Sequence, residues 1–80
     1  MAEHPLDDLA TGTCARIVGF TGLSGATQRR LRHQGIVVGA EVTVERRTSG
    51  RGRVIAVGRS RIAVSRAICQ GIRVTDDHDA

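Results

Sequence analysis

The clearest signal along the chain is the strict alternation from Glu41 to Glu45, where Val42 and Val44 share one face and the two glutamates share the other. A period of two over five residues predicts a half-buried β-strand. Arg46 and Arg47 extend it into solvent. Residues 48–52 read as a hairpin loop with no apolar anchor and a mobile tip, and residues 53–57 return as the partner strand. Gly58, Arg59 and Ser60 make a second turn into residues 61–64, with Ile62 and Val64 inward. Upstream, residues 13–20 are rich in strand-forming types, with Ala15 and Ile17 on one face and Arg16 on the other.

The period changes at Ser24. Its hydroxyl is suited to cap a helix over residues 25–33, and Gly35 is suited to end that helix in a left-handed conformation. With Gly35 as the first residue beyond the cap, Leu31 and Ile36 occupy the two positions whose side chains meet in a Schellman motif. The polar helix face then carries Gln28, Arg29, Arg32 and His33. Ser65 is placed to cap a shorter helical turn ending at Gly71, with Ile72 holding the same place after Gly71 that Ile36 holds after Gly35. Ile72 and Val74 make a closing strand. Residues 1–5 are expected to be a flexible N-terminus, residues 6–75 the folded domain, and residues 76–80 a disordered acidic tail.

The predicted fold class is mainly β: about five short strands, one short α-helix and a helical turn, curled into a small SH3-like barrel. A chain of 80 residues supports one small core, and Phe20 is its only aromatic, so valine, isoleucine and leucine must fill it. Such a core leaves little volume for an enclosed substrate cleft, which argues against an enzyme. No stretch approaches the roughly 18 apolar residues of a membrane span, and the acidic first residues are unlike a signal peptide. Cys14 and Cys69 are expected to be reduced thiols in a cytoplasmic protein.

Charge adds a second theme. Between Leu9 and Thr75 there are 12 arginines against two glutamates, Glu41 and Glu45, a net of +10. All the basic residues are arginine, as a GC-rich coding bias would give, so part of the excess is expected to reflect codon usage and to solvate outer strand faces. The same excess is also the footprint of a nucleic-acid binder. Single-strand binders of this size rely on aromatic platforms that Phe20 alone does not supply, and the one helix is short for groove reading. An arginine-rich barrel binding nucleic acid is therefore the alternative function.

The order of these pieces resembles the FeoA family. The run Leu6-Asp7-Asp8-Leu9-Ala10-Thr11-Gly12 precedes a strand. It is followed by Arg30-Leu31-Arg32-His33-Gln34-Gly35-Ile36-Val37-Val38-Gly39-Ala40-Glu41-Val42, then Arg61-Ile62-Ala63-Val64 and Ile72-Arg73-Val74. Gln34 and Val38 stand where the family often has leucine and proline, and the hairpin loop lacks the family's prolines, which implies a looser loop. Cys69 takes a position usually held by a small inward residue, which implies a packed thiol. The resemblance implies an accessory protein of ferrous iron uptake that works with FeoB, the membrane protein with a G domain that carries the ion inward. It also implies similarity to the C-terminal domains of iron-dependent repressors of the DtxR type.

Neither relative supplies a catalytic residue, and no cofactor is expected. Nucleophilic catalysis through Cys14 lacks a histidine held in place beside it. Gly50-Arg51-Gly52 lacks the lysine and the strand-to-helix setting of a phosphate loop. The weak metal candidates are Asp76, Asp77, His78 and Asp79, with His4, Asp7 and Asp8 at the other end, and ordering such tails costs about 1–2 kcal/mol per residue before any ligand bond forms. The residues expected to meet an acidic surface of FeoB are Gln28, Arg29, Arg32 and His33 on the helix and Arg46, Arg47, Arg51 and Arg53 on the hairpin.

Overall fold

The computed structural model describes residues 3–75. Its elements in chain order are strand β1 (Glu3–Pro5), a 3₁₀ turn (Leu6–Asp8), β2 (Cys14–Phe20), helix α1 (Gly25–His33), β3 (Glu41–Arg47), a second 3₁₀ turn (Ser49–Arg51), β4 (Arg53–Val57), β5 (Ser60–Val64), helix α2 (Arg66–Gly71) and β6 (Ile72–Thr75). The six strands form one sheet in the order β1-β6-β2-β3-β4-β5, and every neighbouring pair is antiparallel. Inward residues from β2 through β6 belong to a single buried cluster, so the sheet wraps around one interior. The architecture is the mainly β, SH3-like barrel that the patterning predicts.

The alternation of β3 is realised as read: Val42 and Val44 are fully buried. Ala15 and Ile17 pack beside them, with Arg16 outside. At β5 the inward pair is unequal, because Val64 is buried and Ile62 only half-buried at the edge of the sheet. Two irregularities escape a period-two reading. The register shifts between Val44 and Arg46, and again between Ile17 and Gly19. The first shift sets Arg46 opposite Val54 and Arg47 opposite Arg53, which decides where the hairpin arginines point.

Helix α1 has the predicted bounds and caps. Ser24 Oγ accepts from the Thr27 amide at 3.1 Å. At the other end the Ile36 amide donates to Leu31 O at 2.9 Å and the Gly35 amide to Arg32 O at 3.1 Å, with Gly35 at φ +88°. These two bonds define a Schellman motif. They also drive Leu31 and Ile36 into the core.

Three expectations are corrected. Residues 3–5 are not flexible, because Glu3, His4 and Pro5 pair with Thr75, Val74 and Arg73 to add a sixth strand. Otherwise β6 would leave an open edge, and Arg73 ties the new strand down through Glu3 (Nε to Oε1, 3.6 Å). Gly71 is not a left-handed cap: it lies inside the last turn of α2, and Ile72 follows directly in extended conformation. The hairpin tip is anchored rather than loose, through Thr48 N to Gly52 O at 3.0 Å and through Arg53, described below. The tail expected over residues 76–80 lies outside the described residues.

Candidate partner-binding surface

Five of the eight predicted partner-binding residues line two concavities with no residue in common, Gln28 and Arg32 the first and Arg47, Arg51 and Arg53 the second, while Arg29, His33 and Arg46 line neither. The first lies where the end of β2, helix α1 and the following turn meet. It is lined by Phe20, Gln28, Arg32, Ile36, Val37 and Val38, with a volume of about 290 Å³. Gln28 is fixed there by donating from Nε2 to Leu23 O at 3.0 Å, while Arg32 stands exposed at the rim. Arg29 and His33 lie exposed on the same helix.

Burying Ile36 turns the next two residues outward. The chain reverses over residues 37–40, with Ala40 N donating to Val37 O at 3.0 Å and Gly39 at φ +94°. The turn is fastened to β2 by Gly39 N to Ile17 O (2.8 Å), Ile17 N to Ala40 O (2.9 Å) and Arg16 Nη1 to Gly39 O (3.0 Å). Val38 sits at its corner with 61% of its surface exposed, beside Val37 at 36%. These are the large hydrophobic residues that the described structure leaves in solvent. Reading the charge alone overlooks them, although three apolar residues in a row after a cap that can bury only the first is a usable signal.

The second concavity, of about 440 Å³, is lined by Asp7, Arg47, Thr48, Arg51, Arg53 and Arg66. Arg53 belongs to its wall but is only 5% exposed, which removes it from the set able to meet a partner. Its Nη1 donates to Arg51 O at 2.9 Å and Gly52 O at 3.2 Å, its Nη2 donates to Asp7 O at 2.9 Å, and Asp7 Oδ1 stands 3.5 Å away. Arg46 lies on neither concavity. Its register partner is Val54, which is buried at 9% exposure but lies outside the main core cluster.

Beneath Arg53 lies Cys69, fully buried, with its Sγ donating to Val64 O at 3.6 Å. Burial pushes its thiol up to about 11, aided by Asp7 and opposed by the nearby Arg53 charge. A thiol so reluctant to ionise is packing, not a nucleophile. Its folded pKa exceeds its ordinary value of 9.0, so this group leaves stability unaffected below about pH 9. As pH rises towards 11 the unfolded chain loses the proton first, and stability should fall by about 2 kcal/mol. Urea melts between pH 8 and pH 11 should show this slope in the natural chain and not in Cys69→Ala; parallel slopes would refute it.

Among the described residues no group of three or more histidine, cysteine, aspartate or glutamate side chains is placed to hold a metal ion. His4, Asp7 and Asp8 therefore do not form the N-terminal set the sequence suggests. Asp76, Asp77, His78 and Asp79 lie outside the described residues. No described helix is long and apolar enough to cross a membrane.

A sequence profile described as the FeoA domain matches residues 4–76. The chain belongs to the FeoA family. That family is involved in ferrous iron transport and consists of small accessory domains. The FeoA protein of Chlorobium tepidum superposes with a TM-score of 0.86 at 25% identity, over 95% of this chain and 72% of that one. The Stenotrophomonas maltophilia FeoA, solved in complex with zinc and described as a prokaryotic SH3 domain protein, gives 0.77 at 28%, over 89% and 88%. The IdeR protein of T. acidophilum shares the fold, with a TM-score of 0.83 at 21% identity over 96% of this chain but 35% of its own. No curated protein sequence matches the chain.

Proposed function

We propose that this FeoA protein is a non-catalytic regulator of ferrous iron uptake that docks on the cytoplasmic G domain of a FeoB-type transporter, and so works at the inner face of the membrane. The observation that carries the reading is the Val37–Val38 corner beside Phe20, held on a turn fixed by four hydrogen bonds and rimmed by Arg32 and Gln28. A rigid apolar projection with an arginine rim has the composition of an interface centre, and it loses little freedom on binding. The excess of arginine adds long-range attraction to an acidic partner surface, which speeds encounter more than it deepens affinity.

Calorimetric titration of the natural chain against the isolated G domain tests the reading. The double substitution Val37→Ser with Val38→Asp should weaken binding by about 100-fold, the scale of one interface hot spot, with a small change in melting temperature because neither side chain belongs to the buried core. Arg32→Glu should chiefly slow association and lessen its dependence on salt. No detectable binding of the natural chain at any attainable concentration would sink the proposal.

A further inference from the structure

Four arginines face carboxylates: Arg16 with Glu41, Arg53 with Asp7, Arg61 with Glu45 and Arg73 with Glu3. Arg47, Arg51 and Arg66 face none among the described residues, yet three separate elements bring them together. The end of β3, the hairpin turn and the first residue of α2 meet around the 440 Å³ concavity. Its lining holds four arginines against one aspartate, a net of +3, and that aspartate is already engaged by Arg53. Confining three unpaired like charges to one concavity backed by a protein core is unfavourable unless an anion joins them.

Two further observations mark the place as built for its charge. Arg51 is the one non-glycine residue at positive φ among the described residues, at +67°, although glycines stand on both sides of it. A left-handed arginine carries backbone strain that glycine would not. The wall behind it is the buried Arg53, whose Nε finds no hydrogen-bond partner while its terminal nitrogens hold the carbonyls of Arg51, Gly52 and Asp7. The loop bearing Thr48 and Arg51 is thereby held in place before any ligand arrives.

We propose that this concavity binds a small, soluble, multiply charged phosphate compound of the pyrophosphate or nucleoside-polyphosphate class. Guanidinium forks pair with phosphate oxygens through two parallel bonds, and three forks around one pit suit a compact ligand with several charges better than a single carboxylate. A pit with a +3 lining also differs from the extended basic stripe that tracks a nucleic-acid backbone. The site shares no residue with the Phe20–Val38 patch, so it stands or falls independently of the docking proposal.

The test is a titration of the full chain with sodium pyrophosphate at low ionic strength, followed by backbone amide resonances, with sodium chloride at matched ionic strength as reference. Saturable shifts are expected at Arg47, Thr48, Arg51 and Arg66. Arg51→Gly removes one fork while relieving its backbone strain, so the fold persists and binding should weaken about tenfold, as for one charge-assisted hydrogen bond. Arg66→Lys keeps the charge without the fork and should weaken binding several-fold. Shifts no larger than those with chloride, or undiminished binding by Arg51→Gly, overturn the site. Tighter binding of duplex or single-stranded DNA, or of anionic lipid vesicles, at the same residues overturns the assignment to a small soluble ligand.

Discussion

Arg53→Ala is expected to destabilise the domain by about 3–5 kcal/mol, the range measured when one partner of a buried ion pair is removed. The side chain is nearly inaccessible, and it donates to the carbonyls of Arg51, Gly52 and Asp7 across residues far apart in the chain, sharing Gly52 O with the Thr48 amide. Removing it strands the carbonyls of Arg51 and Asp7 and a carboxylate that is itself only 21% exposed. A chain of this length has only about 4–12 kcal/mol in total, so the variant should be largely unfolded or melt roughly 12–40 °C lower. Asp7→Ala should cost less, about 1–2 kcal/mol, because Arg53 keeps its carbonyl acceptors. A double-mutant cycle separates the two contributions. An Arg53→Ala variant within 1 kcal/mol of the natural chain would show that solvent reaches this site freely and that the hairpin is not held through it.

Arg53 also shows where reading the sequence reached its limit. Elements governed by local rules were legible: the alternation around Val42 and Val44, and the Leu31–Gly35–Ile36 arrangement that ends α1, each emerge from spacing and glycine chemistry within a few residues. Arg53 lies in a stretch, Arg51-Gly52-Arg53, where neither neighbour signals burial. Its environment depends on Asp7, 46 positions away, and on a register shift in β3 that no period reveals. Strand β1 was illegible for a related reason: three residues are too few to show a period, and their stability comes from the edge of β6 rather than from their own pattern.

The candidate surface divides along the same line. Arg29, Arg32 and His33 were placed correctly on the exposed side of α1 because a helix face follows from spacing. Treating the hairpin arginines as one group failed because the bulge sends Arg46 to the outer sheet face and Arg47 towards the concavity. Arg66 joined them unannounced from α2, and Val37 with Val38 emerged from the turn that follows a buried Ile36. Convergence of separate elements is a tertiary property, and both concavities are made by it.

A pair of glycine-to-alanine substitutions, one in each helix, should move stability in opposite directions. At Gly71 an added Cβ would lie 2.6 Å from Thr21 O and 2.6 Å from Leu23 Cγ and Cδ2. The leucine can rotate, but the carbonyl belongs to backbone fixed by Thr21 N donating to Gly71 O at 2.8 Å. The strand-to-helix connection runs directly over this glycine, so Gly71→Ala must push it away and should cost about 3 kcal/mol, lowering the melting temperature by roughly 12–24 °C. At Gly25, the first residue of α1, the same Cβ meets nothing within 4 Å and φ is not left-handed. Gly25→Ala should therefore stabilise by about 0.5 kcal/mol, through lower entropy of the unfolded chain and better helix propensity. Thermal melts of the two variants side by side decide the matter, and equal shifts would mean that the close passage of residues 21–23 over α2 does not exist in solution.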